Sequence, residues 1–192
     1  MPKKLSEMTL EELWQLFPIF LTEHRAEWAS WYEEQAEQLR SVLPDGARIS
    51  HIGSTAVEGI WAKPIVDILV EVPEGYPLKS CRTILCAQGW VCMNADERRM
   101  SFNRGYTEHG FAERVFHLHL RHIGDCDELY FRDYLREHPD EARAYERLKL
   151  SLWKPYEHDR DGYTAAKAEL VSEYTEKAKI LYKGRYEQVM SP

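Results

Sequence analysis

Hydrophobic and polar residues follow two different periods along this chain, and the change of period separates a strand-rich first part from a helical last part. Residues 25 to 43 place Trp28, Tyr32 and Leu39 near helical spacing with Glu and Gln on the opposite face. This pattern predicts a long amphipathic helix. Residues 17 to 21 are rich in β-forming side chains, and the proline within them places this predicted strand at a sheet edge or a strand start.

Further elements follow from capping residues, apolar runs and turn residues. They are a helix from Thr9, which has capping-box spacing to Glu12, a strand at 47 to 52, a short helix opening at Ser54, a buried strand at 65 to 72, a helix at 78 to 88 and a hairpin of residues 99 to 106 and 114 to 121. From about Asp127 the pattern predicts three helices. We expect one domain over residues 1–192, with a sheet-containing core (1–126) and C-terminal helices (127–187).

Composition narrows the class of protein. Six Trp, eleven Tyr and 44% hydrophobic residues indicate a packed globule, and a net charge of -7 disfavours general binding to nucleic acid or to a membrane surface. The sequence shows no long apolar run, no signal peptide and no Cys-x-x-Cys spacing. We therefore expect a cytoplasmic protein with reduced cysteines.

The predicted strand at 65 to 72 carries a carboxylate among aliphatic residues. Asp67 lies between Val66 and Ile68 in a run that should bury both of its faces. A lone ionised Asp in such a place costs several kcal/mol unless a cation or hydrogen-bond donors compensate it. We therefore expect a partner or ligand at Asp67.

A phosphate cradle is predicted at Gly53, Ser54 and Thr55, where a strand turns into a helix. A glycine allows close approach, and backbone N–H groups together with two hydroxyls suit a phosphate. The alternative is that Ser54 merely caps the helix. His51, just before this turn, is a further candidate metal ligand or phosphate donor, or a partner in hydrogen bonds within the strand ends.

These motifs resemble a known family. HIGSTAVEGIWAKPIVDILVEV is similar to the signature of the GrpB family of uncharacterised proteins, and FRDYLREHPDEARAYERLK, followed by Tyr163 and Lys167, continues the likeness over about residues 17 to 180. The family is assigned to the nucleotidyltransferase superfamily. The resemblance implies an α+β fold with a nucleotidyltransferase-like mixed β-sheet flanked by helices and a C-terminal helical segment packed on it.

The chain departs from the superfamily pattern at Ile65. There the superfamily has the first member of an acidic pair, of which this strand keeps only Asp67. Glu71 lies on the same strand face but about 13 Å away, too far to share a metal ion with Asp67. Ordinary two-metal nucleotidyl transfer is put in doubt.

Two histidines offer a substitute for the missing carboxylate. His117 and His119 share one face of a predicted strand, near the place of a third superfamily carboxylate. With Asp67, and with His51 as a further ligand, they would hold a divalent metal ion, with Mg, Mn and Zn as the candidates and Zn or Mn favoured by imidazole ligands. The alternative is the solvent face of an antiparallel strand.

Lysines would supply the charge that a phosphate needs. Lys63 precedes the Asp67 strand, and Lys149 and Lys167 lie on C-terminal helices where the GrpB pattern also has lysines. Each is otherwise a solvated surface residue. Only convergence on Ser54 and Asp67 would mark them as phosphate ligands.

Three hypotheses about function follow. The first is a protein that binds a nucleotide or another phosphorylated small molecule, and acts as a metal-dependent nucleotidyltransferase in which Asp67, His117 and His119 are catalytic. The second is a non-catalytic nucleotide-sensing or accessory module, since GrpB-like domains occur fused to dephospho-coenzyme A kinase. The third is a metal-dependent hydrolase that uses the His-x-His strand.

Overall fold

A five-stranded mixed sheet with helices on both faces lies at the centre of the protein, in a computed structural model that describes residues 3 to 186. The elements in chain order are α1 (Leu10–Leu16), α2 (Glu27–Arg40), β1 (Arg48–Ile52), β2 (Val66–Val72), α3 (Leu78–Ala87), β3 (Val91–Ala95), β4 (Met100–Thr107), β5 (Gly110–His122), α4 (Asp127–Glu137), α5 (Pro139–Trp153) and α6 (Arg160–Leu181), with 3-10 turns at Leu5–Glu7 and Ser54–Ala56. The predicted α+β class with a mixed sheet is confirmed.

The strand order is β1-β2-β5-β4-β3, so the long strand β5 is central. β2 and β5 are parallel, and the other neighbouring strands are antiparallel. The parallel pair brings two segments together that are about fifty residues apart in the sequence. The register places Asp67 directly beside His117.

Side chains alternate between two hydrophobic clusters on opposite faces of the sheet. Val66, Ile68 and Leu118 lie in the cluster that includes residues of α2 and α3, whereas Leu69 and Ile52 lie in the cluster formed with α4, α5 and α6. Successive residues of a strand point to opposite faces. Asp67, which lies between Val66 and Ile68, therefore points toward the C-terminal helices, and so does His117, which precedes Leu118. These helices pack on the sheet, as the resemblance implied.

The prediction of a strand at residues 17 to 21 is wrong. This segment is irregular, and the nearest bridge joins Thr22 to Ala62. The backbone N–H of Ile19 donates to the carbonyl of Glu157, in the segment between α5 and α6. Phe17 packs on the rings of Tyr106 in β4 and Phe111 in β5, so side-chain contacts rather than strand pairing hold the segment.

Capping residues set the ends of the smaller elements as predicted. Thr9 and Glu12 form a capping box at the start of α1. The predicted helix at Ser54, in contrast, is a single 3-10 turn of three residues. Within residues 3 to 186, no helix is long and apolar enough to cross a membrane.

Candidate functional site

Gly53 brings the turn after β1 against the Asp67 carboxylate. Its φ of 71° lies in the left-handed region, which glycine adopts without a Cβ clash. A Cβ at this position would lie 2.5 Å from Oδ2 of Asp67. Close approach of backbone to carboxylate therefore depends on glycine here.

Asp67 is held between two histidines on β5. Its Oδ1 lies 3.3 Å from Nδ1 of His117 and 3.5 Å from Nε2 of His119, and 27% of the Asp67 side chain remains exposed. Burial acts to raise the pKa of Asp67, but hydrogen bonds and charges from the two histidines outweigh it and hold the pKa far below the usual range. The carboxylate is therefore ionised at neutral pH.

A chain of hydrogen bonds fixes the proton positions on His117. Arg160 Nη2 donates to the Tyr106 hydroxyl at 2.9 Å, and that hydroxyl lies 2.7 Å from Nε2 of His117. The ionised Asp67 carboxylate beside Nδ1 of His117 can only accept, which requires the proton of the neutral ring on Nδ1, so we assign the Tyr106 proton to Nε2 as the acceptor. The neutral ring then carries its own proton on Nδ1, facing Asp67. Burial lowers the pKa of His117, which agrees with this neutral form.

The residues present do not fit a resident metal centre of the superfamily kind. Ile65 stands where the first carboxylate of the pair is expected, and His117 has Nε2 occupied by Tyr106 and Nδ1 assigned as a donor. Among residues 3 to 186, no group of three or more His, Cys, Asp or Glu side chains has the geometry to hold a metal ion. The predicted metal set is therefore not supported by the donor arrangement.

His51 lies apart from the other predicted ligands. It pairs with Ile68 rather than Asp67, so its side chain is on the α2 face of the sheet, where its ring stacks on Tyr32 at 4.8 Å. Its Nε2 lies 2.9 Å from Oγ1 of Thr55, and burial lowers its pKa to about 4. His51 supports the turn from the α2 face through Thr55, whereas Asp67 points to the other face of the sheet, and the role of His51 as a ligand stays a prediction.

The other predicted residues, except His119, line one cavity of about 140 Å³, which we call the lysine cavity. Its lining residues are Gly53, Ser54, Thr55, Lys63, Ile65, Asp67, His117, Tyr145, Lys149, Tyr163 and Lys167. The turn and β2 form one side, and α5 and α6 contribute the residues from 145 onward. Convergence of the lysines on Ser54 and Asp67, which the sequence left open, is present.

All three lysines lie where their charge is poorly solvated. Burial lowers the pKa of Lys63 to about 8 and the pKa values of Lys149 and Lys167 to about 7, and repulsion among the lysines contributes to the lowering in Lys149 and Lys167. Asp67 acts in the opposite direction on Lys63 and Lys167. Glu146 acts in this opposite direction on Lys149, but among the residues that line the cavity Asp67 is the one carboxylate.

Two tyrosines separate the lysines. Lys167 Nζ lies 4.1 Å from the ring centroid of Tyr163, and Lys149 Nζ lies 4.9 Å from that of Tyr145. These distances are within the range of cation–π contacts. The Tyr163 hydroxyl is buried and has no hydrogen-bond partner among the described residues.

Lys149 also has a structural contact. The Lys149 ammonium donates to the backbone carbonyl of Trp61. The backbone N–H of Trp61 donates to Oε1 of Glu146 at 2.7 Å. Together they clamp the loop before β2 onto α5. Lys167 has no such tie among the hydrogen bonds of the described chain, and is the cleaner probe of the cavity.

His119 lines an adjoining groove of about 530 Å³, which we call the outer groove. The groove shares Gly53, Asp67 and Lys167 with the lysine cavity. A ligand with one group in the lysine cavity therefore has space to extend along α6.

Four residues of this region were missed from the sequence: Tyr106, Tyr145, Arg160 and Tyr163. Tyr163 was noted as part of the family pattern without a role. Tyr145 lies four residues before Lys149, one helical turn away on the same face, and this spacing was an available signal. Tyr106 and Arg160 come together through tertiary structure alone.

The GrpB family model matches residues 18–177. The chain belongs to the GrpB family. It is 38% identical to a UPF0157 protein of Pseudomonas aeruginosa and 31% identical to the UPF0157 protein YqkA of Bacillus subtilis, over 76% and 95% of this chain. It spans 61% and 54% of the lengths of these two relatives.

Solved structures agree on the fold. The crystal structure of the conserved protein GrpB from Enterococcus faecalis superposes with a TM-score of 0.72 at 27% identity, over 85% of this chain and 99% of that one. The GLD-2/RNP-8 complex gives a TM-score of 0.51 at 10% identity, over 95% and 74%. The latter likeness concerns the fold alone, which is nucleotidyltransferase-like.

Proposed function

We propose that this GrpB protein binds a phosphorylated small molecule in the lysine cavity, with a nucleotide as the leading class. The observation that carries the proposal is the convergence of Lys63, Lys149 and Lys167 opposite the Gly53-Ser54 turn. The nucleotidyltransferase-like fold supports the choice of a nucleotide. Binding as proposed requires no metal ion.

The charge balance of the cavity favours an anion. Three lysines face one ionised carboxylate, and the lysine pKa values near 7 to 8 show that each proton is held at a cost. A phosphate group supplies the missing negative charge and accepts charge-assisted hydrogen bonds from lysine and from hydroxyl groups. Bound phosphate would raise all three pKa values back toward the usual lysine range.

The size of the cavity limits what it holds. About 140 Å³ is room for a phosphate group with little more, and the remainder of a nucleotide would lie in the outer groove. Lys167 and Asp67 line both spaces. The turn contributes backbone shape and the Ser54 hydroxyl rather than a helix N-terminus, because Ser54–Ala56 is one 3-10 turn.

Ile65 favours a second candidate function, a nucleotide-sensing or accessory module without transfer chemistry. Its aliphatic side chain lines the lysine cavity where the acidic pair would begin. Binding needs the lysines, whereas metal-assisted transfer needs the carboxylates. The Asp67→Asn variant separates the two, since a transferase loses turnover and a sensor loses at most affinity.

Isothermal titration tests the proposal. Phosphate, pyrophosphate, ATP and UTP are titrated into the protein, each without metal and then with Mg²⁺, Mn²⁺ or Zn²⁺. We expect saturable binding of at least one nucleotide or of pyrophosphate, with affinity rising with phosphate number. Absence of binding in every titration would refute the proposal.

A further inference from the structure

A separate cavity of about 120 Å³ shares Lys63 and Ile65 with the lysine cavity as a common wall. We call it the aromatic cavity, because the rings of Phe20 and Phe111 line it together with aliphatic side chains. The two ring centroids are 6.1 Å apart with an interplanar angle of 60°. Nothing in the proposed function uses this space.

The volume and lining of the aromatic cavity suit one planar ring. A cavity of about 150 Å³ lined by apolar side chains is known to bind benzene, and the aromatic cavity is only slightly smaller. Phe20 and Phe111 pack directly on one another as a tilted pair, so a ligand ring would pack against the exposed side of this pair, in one of the offset or edge-to-face arrangements that aromatic groups prefer. A purine with its sugar would exceed the space.

The charges around the cavity favour an acid. Arg25, Lys63 and Arg160 line it, against a single carboxylate from Glu113. Burial is the main cause that lowers the pKa of Lys63 to about 8, and the charge of the nearby Arg160 is the second. An anion near both cations would relieve this repulsion.

Arg160 also has an unmet hydrogen-bond donor. Its Nη2 donates to Tyr106, but its buried Nε–H has no acceptor among the residues that the structure describes. A buried donor without an acceptor is destabilising. A carboxylate oxygen in the aromatic cavity would supply the acceptor and the compensating charge at once.

We propose that the aromatic cavity is a second binding site, for a small planar carboxylic acid whose ring packs against the Phe20 and Phe111 pair and whose carboxylate accepts from Arg160. The site is distinct from the lysine cavity and independent of whether that cavity holds a nucleotide. Through Arg160, Tyr106 and His117 it is joined to Asp67 by continuous hydrogen-bonding contacts.

The test is titration of the protein with benzoate and with benzylamine, which share a ring and differ in charge. Calorimetry and ligand-observed NMR measure the binding. We expect benzoate to bind with a dissociation constant on the order of 1 mM, and benzylamine at least about tenfold more weakly because it meets three cations. Ala112→Phe adds a ring at a lining position and should abolish benzoate binding. Ala165→Phe is the control, because Ala165 is an exposed residue of α6.

Arg160→Met provides a second variant that leaves the cavity open. It should weaken benzoate at least about tenfold, since it removes the charge and the donor. The proposal is overturned if benzylamine binds as well as benzoate, or if neither Ala112→Phe nor Arg160→Met changes benzoate affinity. Pyrophosphate is titrated in parallel: its failure to bind would count against the lysine-cavity proposal alone, and a failure of benzoate against this one alone.

Discussion

Replacing Lys167 by methionine should stabilise the protein at neutral pH. The substitution keeps the length and apolar stem of the side chain and removes a poorly solvated ammonium group. The pKa of Lys167 falls from 10.5 to about 7 in the folded protein, chiefly through burial and then through Lys63 and Lys149. The folded state therefore holds the Lys167 proton less tightly than the unfolded chain does.

The sign of the effect follows from proton linkage. Between pH 7 and 10.5 the unfolded chain binds more protons at this position than the folded protein, so stability rises with pH in this window. The Lys167 term lowers the free energy of unfolding by about 4 kcal/mol at pH 7 and by about 2 kcal/mol at pH 9, from the two pKa values. The gain from Lys167→Met should fall between the two pH values accordingly.

Urea unfolding at pH 7 and pH 9 measures this gain. Lys177→Met is the matched control, because Lys177 lies on the same helix with 48% of its side chain exposed. Its ion pair with Glu173 is exposed on both sides and such pairs contribute little, so we expect nearly equal stability of this variant and the parent at both pH values. A Lys167→Met variant that is less stable than the parent, or whose gain does not shrink at pH 9, would refute the reasoning.

Three further predictions concern the site. Sulfate keeps the same charge between pH 7 and pH 9, and its affinity should fall over this range as the lysines lose their protons. The fall should be up to about tenfold per pH unit for each lysine that must take up a proton on binding. Calorimetry at three pH values measures the affinity, and a pH-independent affinity would contradict the prediction. Tyr106→Phe should remove the hydrogen bond to Nε2 of His117 and move the Nε2 signal in proton–nitrogen NMR correlations, while Asp67 keeps the ring proton on Nδ1. Tyr174→Phe should leave the His117 signals in place. Gly53→Ala should destabilise the protein by about 1–3 kcal/mol, and Gly59→Ala should destabilise it less. Both glycines have a positive φ, but only a Cβ at Gly53 would meet Asp67. Thermal melts compare the two variants, and equal losses of stability would show that the contact with Asp67 is unimportant.

Local pattern was sufficient to predict most of the sheet. The run around Asp67 and the alternation of His117 and His119 with apolar residues indicated strands and faces correctly, because period-two patterns report burial directly. The pairing partner is not a local property. The sequence allowed the histidine face to be solvent-exposed, whereas parallel pairing of β5 with β2 turns it toward α6.

The sequence and the family likeness singled out the lysines but left their convergence open. Lys149 and Lys167 lie on different helices, and their distance from Ser54 depends on how those helices dock. His51 lies only two residues before Gly53 in the sequence, but its side chain points to the opposite face of the sheet. Closeness in sequence alone therefore did not indicate which residues share the cavity. Tyr106 and Arg160 were out of reach, because their contact joins β4 to the start of α6.

The most direct measurement of the central claim is the affinity of pyrophosphate for Lys167→Met compared with the parent protein and Lys177→Met. Loss of one charge-assisted contact inside the lysine cavity should weaken binding at least about tenfold, while the exposed control binds as the parent does. Equal affinity in all three proteins would contradict a phosphate site among Lys63, Lys149 and Lys167.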